Sequence, residues 1–214
     1  MMNVASFVCN VLKENTYIVY DETQECVIID AGCVSNEEKR EIQDFISGKG
    51  LKIKYLLNTH LHLDHCVGAN FITQTYGVKL RVNQQDYSMI DKMKHLLDWF
   101  GIKEEDFSVE LGESIQENES ISFGNSTLIA LSVPGHSPGS MVFYEKKEGI
   151  LFSGDVLFRG SIGRSDLFGG NQRDLLNGIK NKISTLPENT IVYPGHGEST
   201  TIKEEKTHNP FIQA

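Results

Sequence analysis

The chain has 214 residues, 29 acidic against 20 basic side chains and a formal net charge of −9. That length suits one domain with a sizeable core, and the acidic balance without any basic run argues against a nucleic-acid partner. No apolar stretch is long enough to cross a bilayer, and the N-terminus lacks the charged start and apolar centre of a signal peptide, so a cytoplasmic protein with no membrane partner is expected. The four cysteines (Cys9, Cys26, Cys33, Cys66) form no CxxC pair and no even ladder of close spacings, which argues against a zinc ribbon and a disulfide framework.

Short apolar runs at 5–9, 17–20 and 26–30 predict an opening antiparallel meander, the last closed by Ala31-Gly32. Ser35 and Glu38 have the spacing of a capping box, and Ile42, Phe45 and Ile46 keep helical period up to the glycines at 48 and 50. A strand over 53–57 follows, then a histidine-rich turn, a helix over 67–76, a strand over 78–82 and a helix over 84–100. The second half reads as strands at 121–123, 126–133, 141–144 and 150–152, a helix over 173–186 and a strand at 190–193. Strands and helices thus occur twice over one domain, residues 1–214, in an order that two sheets packed face to face with helices outside would accommodate.

The chemistry concentrates where strands end. His60, His62, Asp64 and His65 fall within six positions directly after the strand at 53–57, and imidazole with carboxylate is the donor set of zinc, iron or manganese. His136 sits in the rigid loop Val-Pro-Gly-His-Ser-Pro-Gly, Asp155 ends the apolar run Leu-Phe-Ser-Gly-Asp, and His196 repeats the strand, Pro-Gly, histidine order. Any one of these loops alone reads as a turn or a solvated histidine; together they place five of the seven histidines at strand ends beside glycine or acid. His95, between Lys94 and Leu96, reads as an ordinary helix residue, while His208 could reach the site or bond backbone. Cys66 reads as a small buried residue opening the next helix.

The series His60-x-His62-x-Asp64-His65, His136, Asp155, His196 resembles the metallo-β-lactamase superfamily, and the blocks around His136, Asp155 and His196 look most like its glyoxalase II group, the short bacterial members in particular. The resemblance implies an α/β (α+β) four-layer αββα sandwich with the site at one edge between the sheets. It implies two divalent ions, zinc first with iron or manganese also suited: one on His60, His62 and His136, the other on Asp64, His65 and His196, with Asp155 bridging. Asp64 and Asp155 are then the catalytic carboxylates of a hydrolase that directs an activated water at a thioester such as an S-2-hydroxyacylglutathione. About eighteen residues follow His196, so the helical region that full-length glyoxalase II enzymes use for glutathione is expected to be missing. Arg164, in a glycine-rich loop, is the candidate for a substrate carboxylate, or else pairs with Asp166 or Asp174. The alternatives on the same scaffold are a mononuclear iron persulfide dioxygenase using His60, His136 and Asp155, and a lactone or ester hydrolase. A structural zinc centre fits poorly, because it would be closed and often thiolate-bound.

Overall fold

A computed structural model describes residues 1–213. Its first sheet runs β1 (Asn3–Cys9), β2 (Glu14–Tyr20), β3 (Glu25–Ile29), β4 (Lys52–Leu57) and β5 (Leu80–Arg81) in that spatial order, antiparallel through β3 and parallel from β3 to β5. The helix α1 (Asn36–Lys49) is the crossover between β3 and β4. It starts where the sequence says: Ser35 Oγ accepts Glu38 N–H at 3.1 Å, Glu38 Oε2 accepts Ser35 N–H at 2.9 Å, and Gly50 closes the helix at φ +64°.

The short α2 (Leu63–Cys66) and α3 (Ala69–Tyr76) lead to β5, and α4 (Met89–Met93) lies beyond it. In the second half come β6 (Ser120–Phe123), β7 (Ser126–Ser132), β8 (Met141–Glu145), β9 (Ile150–Gly154), the small hairpin β10 (Leu157–Phe158) and β11 (Ser161–Ile162), α5 (Gln172–Gly178), β12 (Ile191–Pro194), β13 (Thr200–Thr201) and α6 (Ile202–His208). The second sheet has the order β13-β12-β9-β8-β7-β6, with β12 parallel to β9 and the other pairs antiparallel.

Period-two alternation sorts neighbouring residues into different layers. Val19, Ile29 and Leu57 of the first sheet face Phe143 and Phe152 of the second, whereas their chain neighbours Ile18, Ile28 and Leu56 turn outward against Ile42, Ile46 and Ile72 of the helices. On the far side Val142, Leu151 and Val192 meet Leu175, Ile179 and Ile183. Three apolar clusters between four layers make the αββα sandwich, and each fully buried Phe or Ile contributes about 1.5–3 kcal/mol relative to exposure.

Several elements differ from the sequence expectation. The helix expected over 84–100 is a 3₁₀ turn Gln84–Asp86, the short α4 and a 3₁₀ stretch Lys94–Phe100. Leu97 and Phe100, three apart, both point inward, which a three-residue turn satisfies better than a 3.6-residue one. The helix expected over 67–76 is interrupted at Gly68, whose missing side chain lets Cys33 approach, and a separate turn of helix begins earlier, at Leu63. The strand expected at 78–82 shortens to Leu80–Arg81, and the helix expected over 173–186 gives way after Gly178 to a π-type turn, Ile179–Ile183. All four cysteines are free and buried. No helix among the described residues is long and apolar enough to cross a membrane.

The sheets meet at two ends. At the end where β2 finishes, the buried Asp21 takes hydrogen bonds from Thr23 N–H (2.9 Å) and Oγ1–H (2.5 Å), Asn125 N–H (2.6 Å) and Ser126 Oγ–H (2.9 Å), tying the β2–β3 turn to the β6–β7 turn. At the other end lie the start of β2 and the C-terminal ends of β4, β7, β9 and β12, and there the histidines and aspartates gather.

Candidate metal centre

Each candidate ligand is delivered by a strand end. β4 runs out through residues 58–62 into α2, and Asn58 pins this turn with Nδ2 donating to His60 O (3.1 Å) and His65 O (2.9 Å). β7 leads to His136, β9 to Asp155 and β12 to His196. His60, His62, His136 and Asp64, His65, His196 form two groups, each with ligand atoms within 4.8 Å of one another. The structure therefore brings together all seven residues singled out in the sequence.

The hydrogen bonds fix which ring nitrogen points inward. Thr59 Oγ1–H donates to Asp30 Oδ2 (2.7 Å), so its oxygen accepts His60 Nδ1–H (3.0 Å). His65 Nδ1–H donates to the same Asp30 Oδ2 (3.0 Å), His136 Nδ1–H to Arg164 O (2.7 Å) and His196 Nδ1–H to Leu12 O (3.1 Å). With Nδ1 donating in all four, the four Nε2 atoms face the interior. His60 and His136 bring theirs to 3.2 Å, a contact in which neither can donate. Asp155 spans the two groups, Oδ1 at 3.4 Å from His65 Nε2 and Oδ2 at 3.4 Å from His136 Nε2 and 3.7 Å from His196 Nε2. Asp64 Oδ2 lies 3.1 Å from His196 Nε2.

His62 Nε2, His65 Nε2 and Asp155 Oδ1 are buried and have no hydrogen-bond partner among the described residues. Buried polar atoms of this kind cost about 1–3 kcal/mol each, and these converge with an all N/O donor set, so the residues fit divalent cations. The charges agree. Burial holds His62 down to about 3 and, with the surrounding imidazoles, keeps His60 well below its ordinary value. Burial opposes protonation of His65, but Asp155, Asp64 and Asp30 outweigh it and raise that group. Burial would likewise raise Asp155, yet His65, His136 and His196 hold it well below the carboxylate range. In the protein alone a proton on His65 does the work of a cation.

Three supports were not visible as functional in the sequence. Asp30 reads there as the end of a strand; in the fold it adopts φ +55° and collects Thr59 N–H (2.7 Å), Thr59 Oγ1–H and His65 Nδ1–H. Asn15 and Tyr17, on β2, reach across to the other sheet: Asn15 Nδ2 donates to Pro194 O (3.0 Å) and Gly197 O (2.9 Å), and Tyr17 Oη donates to Pro194 O (2.6 Å), holding the His196 loop. The only signal was their polarity at the head of an apolar strand. Glu14 is fully buried beside His65 (4.0 Å), its carboxyl raised well above its ordinary value by burial. Gly195 is required by close approach, since a Cβ there would lie 2.2 Å from Asp155 Oδ1 and 2.6 Å from His65 Cε1.

Arg164 is divided between backbone and side chain. Its carbonyl orients His136, while its exposed guanidinium forms a two-point pair with Asp166 (2.8 and 2.9 Å), one of the two partners expected, and not with Asp174. Arg164, Asp166, Gln172 and Phe211 line an open cleft of about 360 Å³ beginning at Gly163, against His136. His95 is exposed on the 3₁₀ stretch and His208 pairs with Glu204 (3.1 Å), both outside the cluster, and Cys66 is a buried thiol pushed up by burial.

A model of the metallo-β-lactamase superfamily matches residues 9–196. A probable metallo-hydrolase, YqgX of Bacillus subtilis, is 34% identical over 94% of this chain and 93% of its own length. The hydroxyacylglutathione hydrolase GloC of Haemophilus influenzae is 33% identical over 100% of this chain and 99% of its own. Among solved structures, TTHA1623 in a di-iron-bound form superposes with a TM-score of 0.84 at 30% identity, over 97% of this chain and 100% of that one.

Proposed function

This chain belongs to the metallo-β-lactamase superfamily, and from that premise we propose that it is a binuclear metal-dependent hydrolase of thioesters, of the S-2-hydroxyacylglutathione kind. The observation that carries the reading is the convergence of seven side chains, three of whose inward atoms, His62 Nε2, His65 Nε2 and Asp155 Oδ1, are buried with no hydrogen-bond partner among the described residues. His60, His62 and His136 would hold one ion, Asp64, His65 and His196 the other, with Asp155 between them. A pair of divalent ions supplies water of lowered pKa and a Lewis acid for a carbonyl.

The remaining work falls to this chain's residues. Asp64, buried beside His196, offers a carboxylate oxygen to orient the attacking water and take up its proton. Asp30, Thr59, Leu12 and the Arg164 carbonyl keep the imidazoles in one tautomer throughout. A thiolate suits this equipment, because its pKa of about 8.5 lets it depart without a general acid. The cleft at Arg164 would take the thiol carrier, a carrier carboxylate replacing Asp166 on the guanidinium fork. The similarity to GloC supports a glutathione thioester as the first substrate to try.

The test is a panel of thioesters of glutathione, coenzyme A and smaller thiols, offered to the wild-type protein and to Asp155→Ala. The reading expects cleavage by wild type and a fall of roughly 10³-fold in the variant, with bound metal lost and the fold kept. Arg164→Ala should raise KM for carboxylate-bearing carriers with little change in kcat. One iron per chain with oxygen uptake would establish the dioxygenase instead.

A further inference from the structure

The three-histidine group is carried on two separate loops, and neither loop contains the residue that joins them. That residue is Asp86, on the 3₁₀ turn Gln84–Asp86 beyond β5. Asn83 sets the turn, its Oδ1 accepting Gln85 N–H (3.0 Å) and its Nδ2 donating to Ile115 O (3.0 Å). Asp86 has no exposed surface. Its Oδ2 accepts Leu61 N–H at 3.1 Å and Ser137 Oγ–H at 2.7 Å, and its Oδ1 accepts Gly139 N–H at 2.6 Å.

Leu61 stands between His60 and His62, and Ser137 follows His136. One buried carboxylate therefore fastens the loop of two histidines to the loop of the third. The approach is close enough to require Gly139: a Cβ there would lie 2.8 Å from Asp86 Oδ1 and 2.9 Å from its backbone nitrogen. Asp30 reaches His65 directly and His60 through Thr59, and its hydrogen bonds do not extend to the His136 loop. Of these two carboxylates, Asp86 is the one that ties the His60–His62 loop to the His136 loop.

We propose that Asp86 is a positioning residue for the His60–His62–His136 ion, fixing the separation of its two loops before the ion arrives. The proposal rests on the reading that these histidines hold an ion. Each carboxylate oxygen accepts a backbone N–H, so an amide in its place must turn its N–H₂ toward the N–H of Leu61 or Gly139. The loops then part, and ion binding must draw them together again at the expense of affinity. Loss of a partner outside the ligands typically weakens metal binding by about 10–100-fold.

The experiment titrates metal-free wild type, Asp86→Asn, Ser137→Ala and Asp21→Asn with zinc against a chromophoric chelator, and follows cobalt absorption in parallel. Asp21 is also a buried carboxylate, with four hydrogen bonds at the far end of the sheets from the cluster, so it reports general destabilisation. Asp86→Asn should weaken one of two binding steps by about 10–100-fold and alter the cobalt spectrum of that step alone. Ser137→Ala, which deletes a single contact and decides the matter if Asp86→Asn does not fold, should weaken the same step several-fold. Asp21→Asn should lower Tm and leave both steps unchanged. Equal zinc affinity in wild type, Asp86→Asn and Ser137→Ala, or equal weakening of both steps in Asp86→Asn and Asp21→Asn, overturns the role of Asp86. A wild-type chain that binds no zinc overturns it together with the reading beneath it.

Discussion

The two ends of β2 place acidic side chains in the same burial and treat them differently. Beyond Tyr20, Asp21 receives four hydrogen bonds, and these outweigh burial to hold its carboxyl below the ordinary value. Around Glu14 at the other end, Glu14 Oε1, Asn58 Oδ1, His62 Nε2, His65 Nε2 and Asp155 Oδ1 are all buried without partners among the described residues. The first end is complete within the chain and acts as a clasp between the sheets. The second leaves donors and acceptors mutually unsatisfied at a cost of about 1–3 kcal/mol apiece, and the supporting carboxylates Asp30 and Asp86 prevent the loops from relaxing out of that arrangement. An incompletely satisfied but braced cluster is what a cation site needs; a satisfied one would have nothing to offer an ion.

Substitutions at the two ends should separate these roles. The largest effect is expected from Gly195→Ala, whose new methyl enters the space of Asp155 and His65. Overpacking of about 1–3 kcal/mol should appear as a lowered Tm, and metal analysis should find the Asp64–His65–His196 ion gone. Full metal content in that variant would break the contrast between the ends.

An intermediate effect concerns pH. Burial disfavours protonation of His65 and His196, but their aspartate neighbours raise both, so the metal-free protein keeps protons there that an ion must displace. A histidine raised on folding adds stability that is complete below its unfolded value of about 6.5 and is lost as pH climbs through the folded value. The metal-free chain therefore loses this contribution with rising pH while ion binding becomes easier. His60 and His62 are neutral in both folded forms and cancel from the difference. The Tm increase on adding zinc should grow from about pH 6 to about pH 8, and one that shrinks would contradict the protonation pattern.

The smallest functional effect belongs to Asp21→Asn. Stability should fall by about 1–3 kcal/mol with thioester cleavage unchanged. Because the Asp21 carboxyl is lowered on folding, its contribution is present above the unfolded value of about 3.9 and is lost as pH falls through the folded value. Urea midpoints of wild type and variant should converge in acid.

The seven clustered residues and the layer order were legible because each is a local signal: a histidine after a strand, a Pro-Gly turn, a period of two or 3.6. The braces were not. Asp30, Asp86, Asn15 and Tyr17 act over separations of 25 to 182 residues, through hydrogen bonds that leave no spacing to read. The helix expected over 84–100 failed for a related reason, since its inward residues answer to the core they meet and not to one helical period. Arg164 was legible as a residue of interest, but its backbone contact to His136 could come only from the fold.

The most direct test of the account is stoichiometric. Metal-free protein is titrated with zinc while thioester cleavage and bound metal are measured on the same samples. The account predicts that cleavage rises with the second ion and reaches its plateau at two per chain. Full activity at one ion per chain, or activity in the metal-free protein, would contradict it.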